Sequence, residues 1–275
     1  MSYLERSKNK RIDEDVYVSS AKSVWGDYGD DNNVLKDLGQ KKAEMGFADL
    51  IRGRRVALVG PSESLVGKGD EIDSYDLVVR LNNATHFYPF ESNLSYDIGS
   101  RFDVLYCLGW RDLRNANLSN NRPNLEYLKF LVSAEVELSW IDNEDPFIED
   151  WIRQKHFRDI LTECGVQYRY AKHDFLYGWL NGYRPRMGFI ALADLLMFEP
   201  AELKLFGFTF YHGGGHRFKP YATIEPQKHP SGYIDLHDGD EEIRVLKLLM
   251  RSESTIKIDE ILSQVIEDVE NRDNI

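Results

Sequence analysis

Four of the seven histidines, His212, His216, His229 and His237, fall in one polar segment, and Asp238, Asp240 and Glu242 follow the last of them. An imidazole is the side chain that gains and loses a proton near neutral pH, so this segment is where acid–base chemistry is expected. His237 stands just ahead of a helix whose first turn holds Glu242. There it could act as a general base, with the carboxylate orienting the ring and raising its basicity. His212 and His216 have the HxxxH spacing of a metal pair, but the three glycines between them oppose the helix that would put both rings on one face. Asp238-Gly239-Asp240 is a DxD triplet of the kind that holds a divalent metal beside a nucleotide diphosphate. Three letters are a weak pattern, and capping of the following helix by either aspartate outweighs it; His237 alone could be a solvated surface residue.

A second candidate lies upstream, in RRVALVGPSESLVGKGDEIDSYDLVVRLN, Arg54 to Asn82. Two apolar runs, Val56 to Val59 and Leu77 to Val79, flank a loop containing Gly60, Gly67 and Gly69, which reads as strand, loop, strand. Backbone N–H groups and short side chains at the carboxyl end of such a strand suit a nucleotide or phosphate. Gly67-Lys68 resembles the end of a phosphate-binding loop, yet six residues separate Gly60 from Gly67 where that loop needs four, and Gly69 follows where it needs Ser or Thr. The dinucleotide fingerprint G-x-G-x-x-G is absent. On the local pattern an ordinary turn and a nucleotide site stay equally open.

The elements that must position these residues alternate between strand and helix. A helix is expected over 34–51, strands over Asp103 to Trp110, Leu128 to Val132 and Gln167 to Ala171, and a helix from Pro146 to a stop at Gly165. Arg184 to Phe198 has a helical pattern with Pro185 early and Pro200 after it; Leu203 to Phe208 is the next strand. The segment FYHGGGHRFKPYATIEPQKHPSGYID is a long Gly/Pro-rich loop, of a length that points to binding. Helices over 240–251 and 258–271 close the chain. This order predicts an α/β fold, a Rossmann-like and mainly parallel sheet flanked by helices. The expected division is an N-terminal arm and helix over 1–50, an α/β catalytic domain over 51–245, and a helical extension over 246–275 packed on it.

The 275 residues carry 34 Lys plus Arg against 46 Asp plus Glu, a net charge of −12. That balance argues against a general nucleic-acid or anionic-membrane surface while allowing a local basic pocket. No run of about eighteen apolar residues predicts a transmembrane segment. With two cysteines, Cys107 and Cys164, in apolar surroundings, buried thiols in a reducing cytoplasm are the expectation.

Taken together and in order, these segments resemble the eukaryotic-type sialyltransferase family. Its long motif is similar to Arg54–Asn82, with Glu71-Ile72-Asp73-Ser74-Tyr75-Asp76 and Arg80-Leu81-Asn82 nearly in the family's wording. Its short motif is similar to RPRMGFIALADLLMFEPAELKLFGF, ending at Gly207-Phe208. His216 falls where the third motif's histidine belongs, His237 and Glu242 supply the final HxxxxE, and Asp97 to Arg101 (DIGSR) resembles the linker between motifs. The chain departs from the pattern at Val56 and near Met197 or Phe198, where the family has paired cysteines. It departs also at Pro61, where an asparagine meets the donor, and at Arg186-Met187, which replace a Ser/Thr pair.

The resemblance implies an inverting, metal-independent transfer of an acidic sugar from its CMP-activated donor to a hydroxyl of a glycan or glycolipid acceptor, without a cofactor. Sialic acid is favoured and 3-deoxy-manno-octulosonic acid (Kdo) is the alternative. It further implies that Gly60, Ser62, Asn82 and Gly188 contact the cytidine monophosphate, Gly188 by letting the backbone approach. His216 would hydrogen-bond the phosphate, and His237 would take the acceptor's proton, oriented by Glu242. Arg186 could meet a phosphate or carboxylate bidentately. A metal-dependent transferase using Asp238 and Asp240, or a nucleotide-binding homologue without catalysis, are the rival expectations.

Overall fold

Strands made of unbroken apolar runs can exist only where both faces of a sheet are covered. The computed structural model describes residues 38–82, 84, 89–107, 128–134, 161–171, 173, 175–212, 215, 217 and 237–273, and its centre is such a sheet. Its strands are β1 (Arg55–Val59), β2 (Leu77–Leu81), β3 (Val104–Cys107), β4 (Phe130–Ser133), β5 (Gln167–Tyr170), β6 (Glu202–Phe206) and β7 (Ile256–Ile258). They lie in the order β5-β4-β3-β2-β1-β6-β7, and every neighbouring pair is parallel. The chain runs outward from β1 to β5 and returns to β6 on the other side of β1. That reversal makes the carboxyl ends of β1 and β6 the topological switch point, where open α/β sheets are expected to have their ligand crevice.

Successive side chains on a strand point to opposite faces. Val56, Leu58, Val79, Tyr106, Val132 and Leu205 pack on one face against α1 (Leu38–Ile51), α5 (Met187–Leu196) and α6 (Gly239–Ser252). Ala57, Val59, Val78, Leu105, Leu131 and Phe206 pack on the other, with Ile72 of α2 (Gly69–Asp73) and Ile98 of α3 (Ser92–Ile98). The expected α/β class and parallel sheet are therefore observed. Val56 and Phe198, at and near the family's cysteine positions, both belong to the first of these cores. Cys107 and Cys164 form no disulfide.

Three short helices and a strand lie where the pattern shows only loop: α2, α3, α4 (Leu176–Trp179) and β7. Each is too short to display a period, and each is held by partners distant in sequence. Asp73 at the end of α2 accepts from Ser100 N (2.7 Å) and Arg101 N (3.0 Å), and the Arg101 guanidinium donates to the carbonyls of Asp73 and Tyr75. Buried Arg80 of β2 donates to the carbonyls of Ile98, Gly99 and Arg101. The strand β7 pairs with β6, and the last helix, α7 (Glu260–Asp273), follows it directly, so residues beyond 245 are part of the sheet and its cover. The predicted helix after Pro146 is described only at its end, where residues 161–163 are helical and Gly165 follows with positive φ; the rest of it, the arm 1–32, His216 and His229 lie outside the described residues.

One ionic cluster sits inside the first core. Arg169 of β5 donates to Asp194 of α5 at 2.5 Å, and the Tyr106 hydroxyl donates to the same oxygen at 2.6 Å. Both charged side chains are 1% exposed, so neither can regain water if its partner goes. Burial pushes the Tyr106 hydroxyl well above its usual range, keeping it a donor. Asp194→Ala is expected to lower stability by about 3–5 kcal/mol by stranding the Arg169 charge, whereas Tyr106→Phe costs about 1 kcal/mol. Urea unfolding of both variants measures the difference.

Candidate functional site

The crevice begins where β1 and β6 end. Gly60 N donates to Phe206 O at 2.7 Å, and a Cβ at Gly60 would stand 2.6 Å from Gly207 O, so the two strand exits touch backbone to backbone. Only glycine permits that approach. The loop after Gly60 is then stitched to the loop after β6: Arg217 N donates to Pro61 O at 2.7 Å and Glu63 N to Gly215 O at 3.0 Å. The Arg217 guanidinium also donates to Asp97 of α3 and to the carbonyls of Glu63 and Leu65. Gly215 and Arg217, which flank His216 in sequence, are thus both held against residues 61–63.

Ser62 is buried, its N–H donating to Gly207 O and its hydroxyl accepting from Ser64 N at 3.2 Å. Asn82, at the carboxyl end of β2, has left-handed backbone (φ 47°), and its side-chain oxygen is buried with no hydrogen-bond partner among the described residues. A buried acceptor left unsatisfied costs about 1–3 kcal/mol. A group that donates to it would recover that cost, which makes Asn82 a candidate contact for a ligand N–H or O–H.

The other wall is built by α5 and α6. Gly188 has no side chain where a Cβ would lie 2.4 Å from the ring of Phe208, so its glycine admits that ring into the wall. Arg186, the residue before α5, has extended backbone, and both its N–H and its guanidinium donate to Glu242 of α6, each at 2.7 Å. The Glu242 side chain is fully buried. Burial pushes its carboxyl up, and the two Arg186 contacts pull it back. The guanidinium also lies 4.8 Å from the ring centroid of Tyr211. Phe210 and Tyr211 both have positive φ, 47° and 65°, a conformation that side chains avoid and that concentrates at functional sites.

The role expected of Glu242 changes accordingly. Its carboxylate holds Arg186 and not His237. The His237 ring is held instead by the Arg184 carbonyl, which is 2.6 Å from Nδ1. A carbonyl can only accept, so Nδ1 carries the proton and the lone pair of the neutral ring is on Nε2. Burial lowers the pKa of His237 below 6.5, assisted by Arg186 and Arg184 and opposed by that carbonyl. The ring is therefore a neutral base at neutral pH. No sequence signal marks a backbone carbonyl as the orienting group.

Sequence reasoning also left His212 without a role. Its Nε2 stands 3.1 Å from the Asp240 carboxylate, and its pKa is lowered, first by burial. Asp238 caps α6, its side chain accepting from Asp240 N (2.9 Å) and Glu241 N (3.2 Å). Among the described residues no group of three or more His, Cys, Asp or Glu side chains is placed to hold a metal ion, and no helix is long and apolar enough to cross a membrane.

No protein-family model matches this sequence, and no curated protein does. Solved structures do show a likeness. A mammalian sialyltransferase in complex with Gal-beta-1-3GalNAc-ortho-nitrophenol is 17% identical, over 92% of this chain and 88% of its own, with a TM-score of 0.44. The sialyltransferase CstII from Campylobacter jejuni, in complex with cytidine-5'-monophosphate, is 16% identical over 75% of this chain and 80% of its own, with a TM-score of 0.45. The monofunctional alpha-2,3-sialyltransferase Cst-I from the same organism is 16% identical over 75% and 74%, with a TM-score of 0.42.

Two outcomes are expected from this geometry. Gly188→Ala forces a Cβ into the Phe208 ring and lowers stability by about 1–3 kcal/mol; Phe208→Leu in the same chain recovers part of the loss in thermal unfolding. The second concerns pH. His212 and His237 bind their protons less tightly folded than unfolded, so the stability they contribute is complete above 6.5 and is lost as pH falls through their lower folded values. Glu242, raised by burial, works with the opposite sign as pH rises past 4.5. The urea midpoint should therefore fall between pH 7 and 5.5, and His212→Gln/His237→Gln should flatten that fall.

Proposed function

We propose that this crevice binds the CMP portion of a CMP-activated acidic sugar and that the protein transfers that sugar to a hydroxyl of a glycan or glycolipid, with inversion. The observation that carries the reading is the His237 ring. Its Nδ1–H is donated to Arg184 O, and its pKa is held below the usual value, which leaves Nε2 as a base at neutral pH. The order of the four sequence motifs supports the donor class. The acceptor hydroxyl oxygen attacks the anomeric carbon from the face opposite the phosphate while its proton passes to Nε2 of His237. The bond from that carbon to the phosphate oxygen breaks, and its electrons leave with CMP through an oxocarbenium-like state.

Asn82, with its unsatisfied buried oxygen, and the Gly60–Ser62 turn form the proposed nucleotide wall. Arg186 stands close enough to His237 to lower its pKa, and one of its N–H groups already serves Glu242. Its remaining donors suit the departing phosphate or the sugar's carboxylate, so Arg186 acts here as a fixed donor and not as a mobile bidentate clamp. His216 keeps the phosphate role that the motif order implies. The reaction needs no metal, because the phosphate monoester is already a good leaving group; sialic acid is the favoured sugar and Kdo the second.

The purified chain, offered CMP-sialic acid, CMP-Kdo and UDP-sugars with mixed acceptors, should release CMP equally with and without EDTA. Release only from a UDP-sugar and only without EDTA would select the Asp238 and Asp240 metal reading, and CMP binding without release would select a binding protein. His237→Ala should cut CMP release by about 10²–10⁴, and an unchanged rate would overturn the assignment of the base.

A further inference from the structure

We infer that Arg272, in the last turn of α7, is a positioning residue for the site: it fixes His212 as the Nε2–H tautomer, the opposite of the tautomer imposed on His237. Arg272 Nη2 stands 3.1 Å from His212 Nδ1. A guanidinium has donors and no acceptor, so Nδ1 must accept, and the proton of the neutral imidazole is on Nε2. The same Nη2 reaches the Asp240 carboxylate at 3.4 Å, and that carboxylate is 3.1 Å from His212 Nε2. One arginine thus ties the loop after β6 to the first turn of α6.

The helix that delivers this arginine is firmly placed. Asp259, just before α7, accepts from Gly207 N at 2.6 Å and from Leu262 N at 2.9 Å, so the helix is anchored at the exit of β6. From there its 14 residues extend about 21 Å, bringing Arg272 back to the loop that β6 feeds. Although the Asp240 carboxylate is 3.1 Å away, His212 Nε2 makes no hydrogen bond among the described residues, so the N–H is not aimed at it. A Cβ built at Gly239 would stand 2.5 Å from Phe210 O, 3.0 Å from that nitrogen and 3.6 Å from Arg186 Nη1, so glycine lets the loop after β6 pack closely on the start of α6 and brings both donors to that junction. The site then holds two neutral histidines of complementary kind. His237 carries its proton on Nδ1, and His212 holds an Nε2–H on the Arg186 side of the site, a donor suited to an oxygen on which negative charge grows.

The tautomers are properties of the folded chain; the contribution to catalysis rests on the transferase reading. Long-range ¹H–¹⁵N correlation on the labelled full chain at pH 7.5 reads each ring. His212 should show its proton on Nε2 and His237 on Nδ1. Arg272→Leu, at a side chain 57% exposed, should leave thermal unfolding nearly unchanged, convert His212 to a mixture of tautomers, and lower CMP release about tenfold, the scale of one misdirected charge-assisted hydrogen bond. Arg272→Lys should restore both. A proton on Nδ1 of His212 in the unaltered chain, or identical His212 signals after Arg272→Leu, would overturn the inference. A changed tautomer with an undiminished CMP-release rate would remove its catalytic part. If the tautomer responds but the unaltered chain turns over no CMP-sugar, the positioning stands and the transferase reading falls.

Discussion

A carboxylate buried as deeply as Glu242 is tolerable only if its charge is met at once, and the way it is met shapes the whole wall of the crevice. Glu242 takes both the backbone N–H and the guanidinium of Arg186. The pair therefore locks the entrance of α5 onto the first turn of α6, two elements far apart in sequence. Arg184, two residues before Arg186, is brought under His237, and Tyr211 stacks over the guanidinium. Removing the carboxylate would leave Arg186 without its partner, and the histidine would lose the fixed frame that selects its tautomer.

The opposite wall depends on a different constraint, the contact of β1 and β6 at Gly60 and Gly207. It divides the Arg54–Asn82 stretch into two uses. Asp73, Tyr75, Asp76 and Arg80 join α2 and β2 to the segment Asp97–Arg101 through main-chain carbonyls and carboxylates. What faces the crevice is the Gly60–Ser62 turn and Asn82. A long similar run in the sequence is thus mostly scaffold, and the part available to a ligand is a few residues at the strand exits. The deeply buried Arg80 guanidinium is received by three carbonyl oxygens at and after the end of α3.

The C-terminal segment belongs to the same machinery. The strand β7 extends the sheet beside β6, Asp259 bonds the residue that follows β6, and α7 returns an arginine to the loop that begins there. The site thus draws on positions from Gly60 to Arg272, and its precision rests on contacts among loop exits and helix ends more than on any one loop.

The class of fold and the main elements are legible in the residues alone. Apolar runs such as Val56–Val59 and Leu203–Phe206 can be stable only between two covering layers, and Pro185, Pro200 and Gly165 punctuate the helices by backbone geometry that needs no tertiary knowledge. The residues also point to the segment rich in histidines, because residue type alone sets which groups titrate near neutrality. Tertiary structure decided the rest. The helices α2 and α3 and the strand β7 are too short to carry a period and exist through distant hydrogen bonds. The carboxylate of Glu242 looked like the orienting partner of His237 because it is five residues away, yet distance along a chain does not say which side chain a buried charge will choose. Arg186 won that choice by offering two donors at once, and a backbone carbonyl, invisible in any pattern of side chains, took the place beside His237.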